Sequence, residues 1–325
     1  MQKIGMTTTV PVEIIYAAGK IPVDLNNIFI THANSELLLE RAEIQGFPRT
    51  VCGWIKGLYS TAHELKDLEA VITVTQGDCS NTHALMETWQ AEGIKTIPFA
   101  YPFDGDKVLL EMQIKKMSQA LGAEWKDVLV WKQKLDAVRA LVWEIDRRTW
   151  QDNTVNGFNN HLWQVSCSDF NGDPQKFASL AEEFILELND KKPYTEEIRL
   201  GFIGVPPIFT DLYDYIEAQK SRVVFNEVQR QFTLPFPGAD IIEAYGLYTY
   251  PYSLFKRIDD IKKEIAARNI HAVIHYTQSF CFRQIEDIII RKEIGVPLLT
   301  IEGDRPGKLD ARTKMRIDAF LDLVR

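Results

Sequence analysis

The stretches AVITVTQGDC (residues 70–79) and AVIHYTQSFC (residues 272–281) carry the same residue at six of their ten positions. Each begins as an apolar run rich in β-branched residues, which is typical of a buried strand, and each ends on a cysteine. A helical stretch follows each cysteine, and a second apolar run follows each helical stretch. This strand, helix, strand order predicts a parallel sheet covered by helices.

The position of a glycine indicates that the whole unit is duplicated and not only its first strand. Gly93 and Gly295 stand at the same distance beyond their cysteines, where each helical stretch ends. Glycine is the residue that most often terminates a helix. We therefore predict an α/β fold with two similar flavodoxin-like or Rossmann-like domains, each built on a parallel sheet.

Between the two repeats the periodicity becomes helical and strand patterns are scarce. We expect a first α/β domain over residues 1–105, a helical insert or connector over residues 106–195, and a second α/β domain over residues 196–325. The insert carries most of the tryptophans of the chain, and packing is their expected role.

The composition limits the classes of function. The chain has 325 residues, 46% of them hydrophobic and 25% charged, and a formal net charge of -8. This acidic balance gives no electrostatic reason to expect a nucleic-acid partner. No apolar run approaches the roughly 18 residues of a membrane span, and the first residues do not read as a secretory signal. We therefore expect a cytoplasmic protein without a membrane partner, in which the four cysteines stay reduced.

The cysteines are the candidate functional residues. Cys79 and Cys281 follow their predicted strands, at the edge of a parallel sheet where ligands bind. Cys52 precedes a helical segment, where backbone amides stabilise a thiolate. If the two domains face each other, all three thiols can point into one cleft. We therefore predict a metal centre in the cleft between the domains, with Cys167 as a candidate further ligand.

The spacing of the cysteines bears on the type of metal. Structural zinc sites usually use short CxxC pairs, and the sequence contains none. Single cysteines from separate loops suit an iron–sulfur cluster, for which thiolate is the standard ligand. Three ligands would leave one iron open to substrate or solvent. The alternative is that the cysteines are buried packing residues, which is the commoner role of a lone cysteine.

Other residues near the cysteines are candidates for contact with a cluster or a substrate. Gln76 and Gln278 each stand three positions before the repeated cysteine, where hydrogen bonding to a cluster and capping of the loop are both open roles. Glu302 ends the last predicted strand, and its alternative role is to cap the turn that follows. The full set of candidates is Trp54, Gln76, Asp78, Gln278 and Glu302.

Five segments of the sequence form a recognisable pattern. They are PVEIIYAAGKIPVDL (residues 11–25), Cys52 followed by an aromatic and a basic residue, GDCSNTHALME around Cys79, VIHYTQSFC, and PLLTIEGDRPGKLDARTKMRIDAFLD. In these segments the chain resembles the D-component family of 2-hydroxyacyl-CoA dehydratases and ATP-dependent benzoyl-CoA reductases, which includes the double-cubane cluster proteins. The last two segments are the most specific, and the resemblance covers most of the chain.

The resemblance implies a [4Fe-4S] cluster held by Cys52, Cys79 and Cys281. It also implies a separate activator protein that hydrolyses ATP and delivers one low-potential electron, and pairing of the chain with a second copy or with a related subunit. The sequence agrees with this division of labour, because it contains no GxxxxGK[ST] phosphate loop. The alternative is a double-cubane [8Fe-9S] cluster, which needs more cysteine ligands than these three.

These expectations lead to three classes of function. The first is an iron–sulfur enzyme component that dehydrates or reduces an acyl-CoA or another small molecule, with a double-cubane-type reductase of small molecules as a variant. The second is a non-catalytic subunit whose cluster relays electrons within a heteromeric complex. The third is a cluster-free binding protein with two Rossmann-like lobes, in which the cysteines only pack.

Overall fold

A computed structural model describes residues 2–236 and 238–325, and within them the backbone forms two parallel sheets of four strands each. The strands of the first sheet are β1 (Lys3–Met6), β2 (Ile21–Asp24), β3 (Leu68–Gln76) and β4 (Thr96–Ala100). Those of the second are β5 (Ile198–Gly204), β6 (Ser221–Asn226), β7 (Ala272–Gln278) and β8 (Leu298–Gly303). The spatial orders are the same, β2-β1-β3-β4 and β6-β5-β7-β8. The predicted α/β fold with two parallel sheets is confirmed.

Helices cover both sheets and fill the segment between them. With the first sheet come α1 (Val12–Ala17), α2 (Leu25–Thr31), α3 (Ser35–Ile44), α4 (Gly53–Glu64) and α5 (Asn81–Ala91). The segment between the sheets forms α6 (Lys107–Leu121), α7 (Trp125–Trp150), α8 (Gly157–Ser166) and α9 (Pro174–Glu187). With the second sheet come α10 (Leu212–Glu217), α11 (Glu227–Gln231), α12 (Ile241–Leu247), α13 (Leu254–Ala267), α14 (Asp287–Glu293) and α15 (Ala311–Val324). None of the helices in the described part of the chain combines the length and the apolar character that crossing a bilayer requires.

The two repeated strands occupy equivalent central positions. β3 lies between β1 and β4, and β7 lies between β5 and β8. Most of β3 and all of β7 are buried, as expected of strands in a parallel sheet covered on both faces. At the strand ends Gln76 pairs with Ala100 and Gln278 pairs with Gly303. The repeated sequence therefore reflects a repeated position in the fold.

The helices that follow the repeated strands end alike but begin differently. Gly93 and Gly295 follow α5 and α14 with φ angles of +85° and +73°, in the left-handed region that glycine adopts without strain. The segment after Cys281, which the sequence predicts to be helical from its start, opens with the 3₁₀ turn Phe282–Gln284 and becomes α14 only at Asp287. This turn carries the Arg283 guanidinium over the Tyr250 ring, 4.3 Å from the ring centroid.

The long helix α7 contacts both halves of the molecule. Arg139 of α7 pairs with Glu13 of α1 at 2.8 Å. Two turns further on, Asp146 pairs with Arg268, which follows α13, at 2.6 Å. All four side chains are buried or nearly so, and a buried pair is stable only while both partners remain. α7 therefore fixes the two sheets relative to each other.

Candidate metal centre

Three cysteines line one cavity of about 130 Å³ between the two sheets. Cys79 follows β3 and Cys281 follows β7, so each stands beyond the carboxyl end of the central strand of its sheet. Cys52 precedes α4 and reaches the same cavity from the side of the first sheet. The structure thus brings together the three thiols that the sequence singles out.

Each of these cysteines stands at the start of a helical turn. The backbone N–H groups just after each cysteine act to lower the pKa of its thiol: those of Trp54 and Ile55 for Cys52, those of Asn81 and Thr82 for Cys79, and that of Arg283 for Cys281. Amides and helix dipoles in this position stabilise a thiolate.

Burial acts on the thiols in the opposite direction. It raises the pKa of Cys52 and of Cys79 to about 12, and repulsion from neighbouring thiols and from Asp78 adds to the effect. Burial also raises the pKa of Cys281. The free thiols are therefore protonated at neutral pH, and a bound metal would displace their protons.

The arrangement differs from a site for one metal ion. Within residues 2–236 and 238–325, no three His, Cys, Asp or Glu side chains form a group that could hold a single ion. A cubane takes each of its thiolates on a different iron, so its ligands stand further apart than those of one ion. The donor set of the cavity, three thiols from separate turns of the chain, has the ligand chemistry of a cluster.

The cavity wall carries one buried cation and one buried donor without a partner. The Arg283 guanidinium donates to Glu286 at 3.1 Å and to the Tyr250 carbonyl, and its charge opposes the rise in the pKa of Cys281. Trp54 Nε1 is buried and has no hydrogen-bond partner. Buried N–H groups rarely stay unpaired, so this one favours an acceptor in the cavity.

A larger groove of about 650 Å³ adjoins the cavity, and we call it the outer groove. It lies between β2 and α2 of the first half, α8 and α9, and residues 207–210 of the second half. The cavity and the outer groove share part of their walls, so a molecule in the groove would lie beside the cavity that the cysteines line. The shared residues are Asn27, Ile30, His161, Val165 and Pro207.

Comparison with known families decides what kind of protein this is. The family model described as 2-hydroxyglutaryl-CoA dehydratase, D-component, matches residues 7–324. The chain belongs to this family. No curated protein matches it. Members are dehydratase-type enzyme components that bind a metal cluster and act with an activator partner, and the cavity described above is where this member offers thiol ligands.

The other candidate residues of this family member lie in different surroundings. Gln278 lines the cavity, accepts a hydrogen bond from Tyr276 at 2.8 Å and donates to the Asp304 carbonyl at 2.8 Å. Its counterpart Gln76 is exposed. Glu302 is also exposed and accepts from the Ser279 hydroxyl, in a separate surface pocket. Equivalent backbone positions therefore do not give equivalent side-chain environments.

Asp78 and Trp54 both line the cavity. The Asp78 carboxylate accepts a hydrogen bond from the Tyr250 hydroxyl at 3.2 Å. Burial raises the pKa of Asp78 to about 6, and the charge of Arg283 opposes this rise. Trp54 packs edge-on against Phe29, with ring centroids 5.4 Å apart.

Cys167 is placed apart from the other three cysteines. It follows α8 and is buried in the apolar core of the first half, together with Phe170 and Phe177. Burial raises the pKa of its thiol to about 12. The structure does not bring this thiol to the cavity wall.

Sequence reasoning missed the residues that the middle helices and later loops contribute to the cavity. They are His161 and Val165 of α8, Tyr250 before α13, and Arg283 after Cys281. His161 contacts Gln229 at 3.2 Å, and burial lowers its pKa to about 4, so its ring is neutral at pH 7. His161, Val165 and Tyr250 lie far along the chain from the cysteines, and no local pattern marks Arg283, two positions after Cys281, as part of the cavity wall.

Proposed function

We propose that the protein is an iron–sulfur enzyme component of the 2-hydroxyacyl-CoA dehydratase and benzoyl-CoA reductase type. In this proposal Cys52, Cys79 and Cys281 hold a [4Fe-4S] cluster, and an acyl-CoA thioester is the substrate. The supporting observation is the meeting of three thiols in one cavity, each at the start of a helical turn. Thiols from three separate turns can ligate three different irons of one cubane.

When bound, the cluster would supply a low-potential electron and one iron without a protein ligand. The residues of the chain would stabilise and shield it. Helix-terminal amides stabilise the three thiolates, and the Arg283 guanidinium offsets part of their negative charge. Ile55, Leu58 and Val205 line the cavity and keep water from much of its wall.

An exposed apolar strip beside Cys281 supports a separate electron donor. Phe280, Phe282, Ile285 and Ile288 are 53%, 44%, 70% and 61% exposed. Exposed apolar patches of this kind mark interaction surfaces. We assign this strip to the ATP-hydrolysing activator, because Phe280 and Phe282 flank Cys281, a proposed ligand of the cluster.

The number of thiols at the cavity favours one cubane over a double-cubane [8Fe-9S] cluster. Three cysteines line the cavity, and Cys167 lies in the core of the first half. A larger cluster would need ligands from a second subunit. We therefore propose a single cubane in each chain, in an assembly of two copies or of this chain and a related subunit, in the cytoplasm.

The outer groove favours an enzyme over the alternative of a subunit that only relays electrons. A relay needs no space for a small molecule beside its cluster, whereas this groove adjoins the cysteines and falls within the roughly 300–1,000 Å³ of ligand pockets. The test is electron paramagnetic resonance of the chemically reduced protein with and without an acyl-CoA, with free CoA as control. A signal that shifts with the acyl-CoA supports the enzyme, and a signal that no acyl-CoA shifts indicates a relay.

A further inference from the structure

The walls of the outer groove are mostly apolar. They include Ile28 of α2, Leu162 and Trp163 of α8, and Phe177 and Leu180 of α9. Ile28, Leu162 and Leu180 remain 38%, 43% and 45% exposed, so an apolar ligand would remove part of their surface from water. Burial of that surface is the main source of binding free energy in such a groove.

Charged groups are few in the outer groove. Among the described residues that line it, the one lysine or arginine is Lys3, which pairs with Asp67 at 3.9 Å. His161 is neutral, because burial lowers its pKa to about 4. Asp169 also lines the groove and already accepts the backbone N–H of Asp24 at 2.7 Å.

Among the residues that the structure describes, none gives the cavity beside the cysteines a free cation either. Arg283 lines it, but its guanidinium is engaged by Glu286 and lies over the Tyr250 ring. Asp24 and Asp78 are acids in the same wall. Apart from Lys3, which already has Asp67 beside it, neither space offers a substrate carboxylate a positive partner among the described residues, and burial of an unpaired carboxylate is strongly unfavourable.

We infer that the substrate of this protein carries an apolar, uncharged acyl group, aliphatic or aromatic, without a second carboxylate. This inference rests on the proposed function, because it assumes that an acyl thioester reaches the cysteines through the outer groove. The inferred acyl group differs from the one in the description of the family, because a 2-hydroxyglutaryl group ends in a carboxylate.

The test is the binding of two acyl-CoA esters that lack the 2-hydroxyl group and differ in terminal charge. Hexanoyl-CoA and glutaryl-CoA are titrated into anaerobically purified protein of known iron content, and binding is followed by calorimetry and by tryptophan fluorescence, to which Trp163 in the groove wall contributes. We expect hexanoyl-CoA to bind at least tenfold more tightly than glutaryl-CoA.

A variant that adds a cation to the groove sharpens the test. Leu162→Arg places a guanidinium in the groove wall, and we expect it to lower the hexanoyl-CoA affinity and raise the glutaryl-CoA affinity. Leu323→Arg, at a 78% exposed position on α15, is the matched control and is expected to change neither affinity. The wild-type comparison remains decisive if Leu162→Arg does not fold.

The outcomes separate this inference from the proposed function. Glutaryl-CoA binding that equals or exceeds hexanoyl-CoA binding overturns the inference and leaves the proposed function standing. If neither ester binds to protein with a full complement of iron, the acyl-CoA function fails, and the inference fails with it. Tighter hexanoyl-CoA binding that reverses in Leu162→Arg supports both.

Discussion

At the scale of single residues, each proposed ligand combines a buried or half-buried thiol with the start of a helical turn. Burial favours the neutral thiol, and the amides of the following turn favour the thiolate. The repeat in the sequence identified Cys79 and Cys281, whereas Cys52 was a candidate because it precedes a helical segment, and the resemblance implied all three. Arg283 and Tyr250 could not be predicted, because their part in the cavity depends on contacts distant in sequence.

We expect that replacing any one of the three proposed ligands, Cys52, Cys79 or Cys281, by alanine reduces bound iron to less than half of the wild-type content. The reason is that two thiolates bind a cubane less firmly than three. Cys167→Ala is the matched control, and we expect it to retain the wild-type content, since its thiol lies in the core. Iron and acid-labile sulfide are measured after anaerobic purification. Full iron in Cys79→Ala would contradict the assignment.

Trp54→Phe keeps an aromatic ring in the wall and removes the unpaired N–H. If this N–H donates to a cluster sulfur, its loss should lower the reduction potential by roughly 60 mV, the one-electron equivalent of a tenfold change in an equilibrium constant. The measurement is a redox titration followed by electron paramagnetic resonance. Trp89→Phe removes another unpaired buried N–H, one in the core behind α4, and is expected to leave the potential unchanged.

At the scale of elements, the start of α4 joins the two halves of the site. Gly53 follows Cys52, and a Cβ atom at this position would lie 2.5 Å from the backbone oxygen of Asp304, in the second half. Only glycine permits this approach, although its conformation is that of a helix start. The sequence shows a glycine here but gives no sign of what it approaches, because the contact joins residues far apart in the chain.

Gly53→Ala is expected to lower the free energy of unfolding by about 1–3 kcal/mol, the usual cost of overpacking, and to reduce bound iron by shifting Cys52. Gly246→Ala is the control, because its Cβ would meet only Leu110, at 3.9 Å, and alanine favours the helix. Chemical denaturation and iron content check both variants. Unchanged stability and iron in Gly53→Ala would show that the two halves separate freely at this contact.

Asp169, which lies where the middle helices meet β2, makes the stability of the fold depend on pH. Burial raises its pKa to about 7, and the nearby Asp24 carboxyl adds to the rise. Because this folded-state pKa exceeds the unfolded value of about 4, its stabilising contribution is full below pH 4 and is lost as the pH rises through about 7.

Relative to wild type, Asp169→Asn should therefore gain stability as the pH rises from about 4 to 8, by up to roughly 4 kcal/mol. Denaturation curves of both proteins across this range measure the difference. The variant loses part of the hydrogen bonding to Asp24 and Asn171 at every pH, so the change with pH is the quantity to compare. A difference between the two proteins that is constant with pH would contradict the raised pKa.

The elements themselves were largely predictable. The apolar runs located β3, β7 and the strands that follow them, and Gly93 and Gly295 mark the helix ends. The 3₁₀ turn after Cys281 was not predictable, since its sequence is helical in pattern. In this turn the Arg283 guanidinium contacts Glu286 and Tyr250, and the backbone forms a 3₁₀ turn where the sequence pattern predicts an α-helix.

At the scale of the whole molecule, α7 sets the separation of the two sheets, and the outer groove provides space beside the cavity that the cysteines line. α7 holds the two sheets at a fixed separation through Glu13 on one side and Arg268 on the other. The groove then forms between α8, α9 and both halves. The sequence predicts helices in this segment. It predicts neither the ion pairs of α7 nor the outer groove, because both depend on contacts between segments that are distant in the chain.

The exposed strip beside Cys281 leads to a prediction about partners. Ile285→Glu places a carboxylate in the strip and should slow reduction by the activator at least tenfold, while chemical reduction by dithionite and iron content stay unchanged. Ile44→Glu, at an 81% exposed position at the end of α3, is the control. The measurement is the rate of reduction by the activator in the presence of ATP. Equal rates in both variants would show that the activator does not dock on this strip.

Iron and acid-labile sulfide per chain, measured on anaerobically purified wild-type protein, is the measurement to make before all others. A single cubane on Cys52, Cys79 and Cys281 predicts about four of each, with visible absorption that bleaches in air. About eight irons would favour the double-cubane alternative. No iron and no sulfide, even after anaerobic reconstitution, would contradict the cluster and leave the three cysteines as packing residues of a duplicated fold.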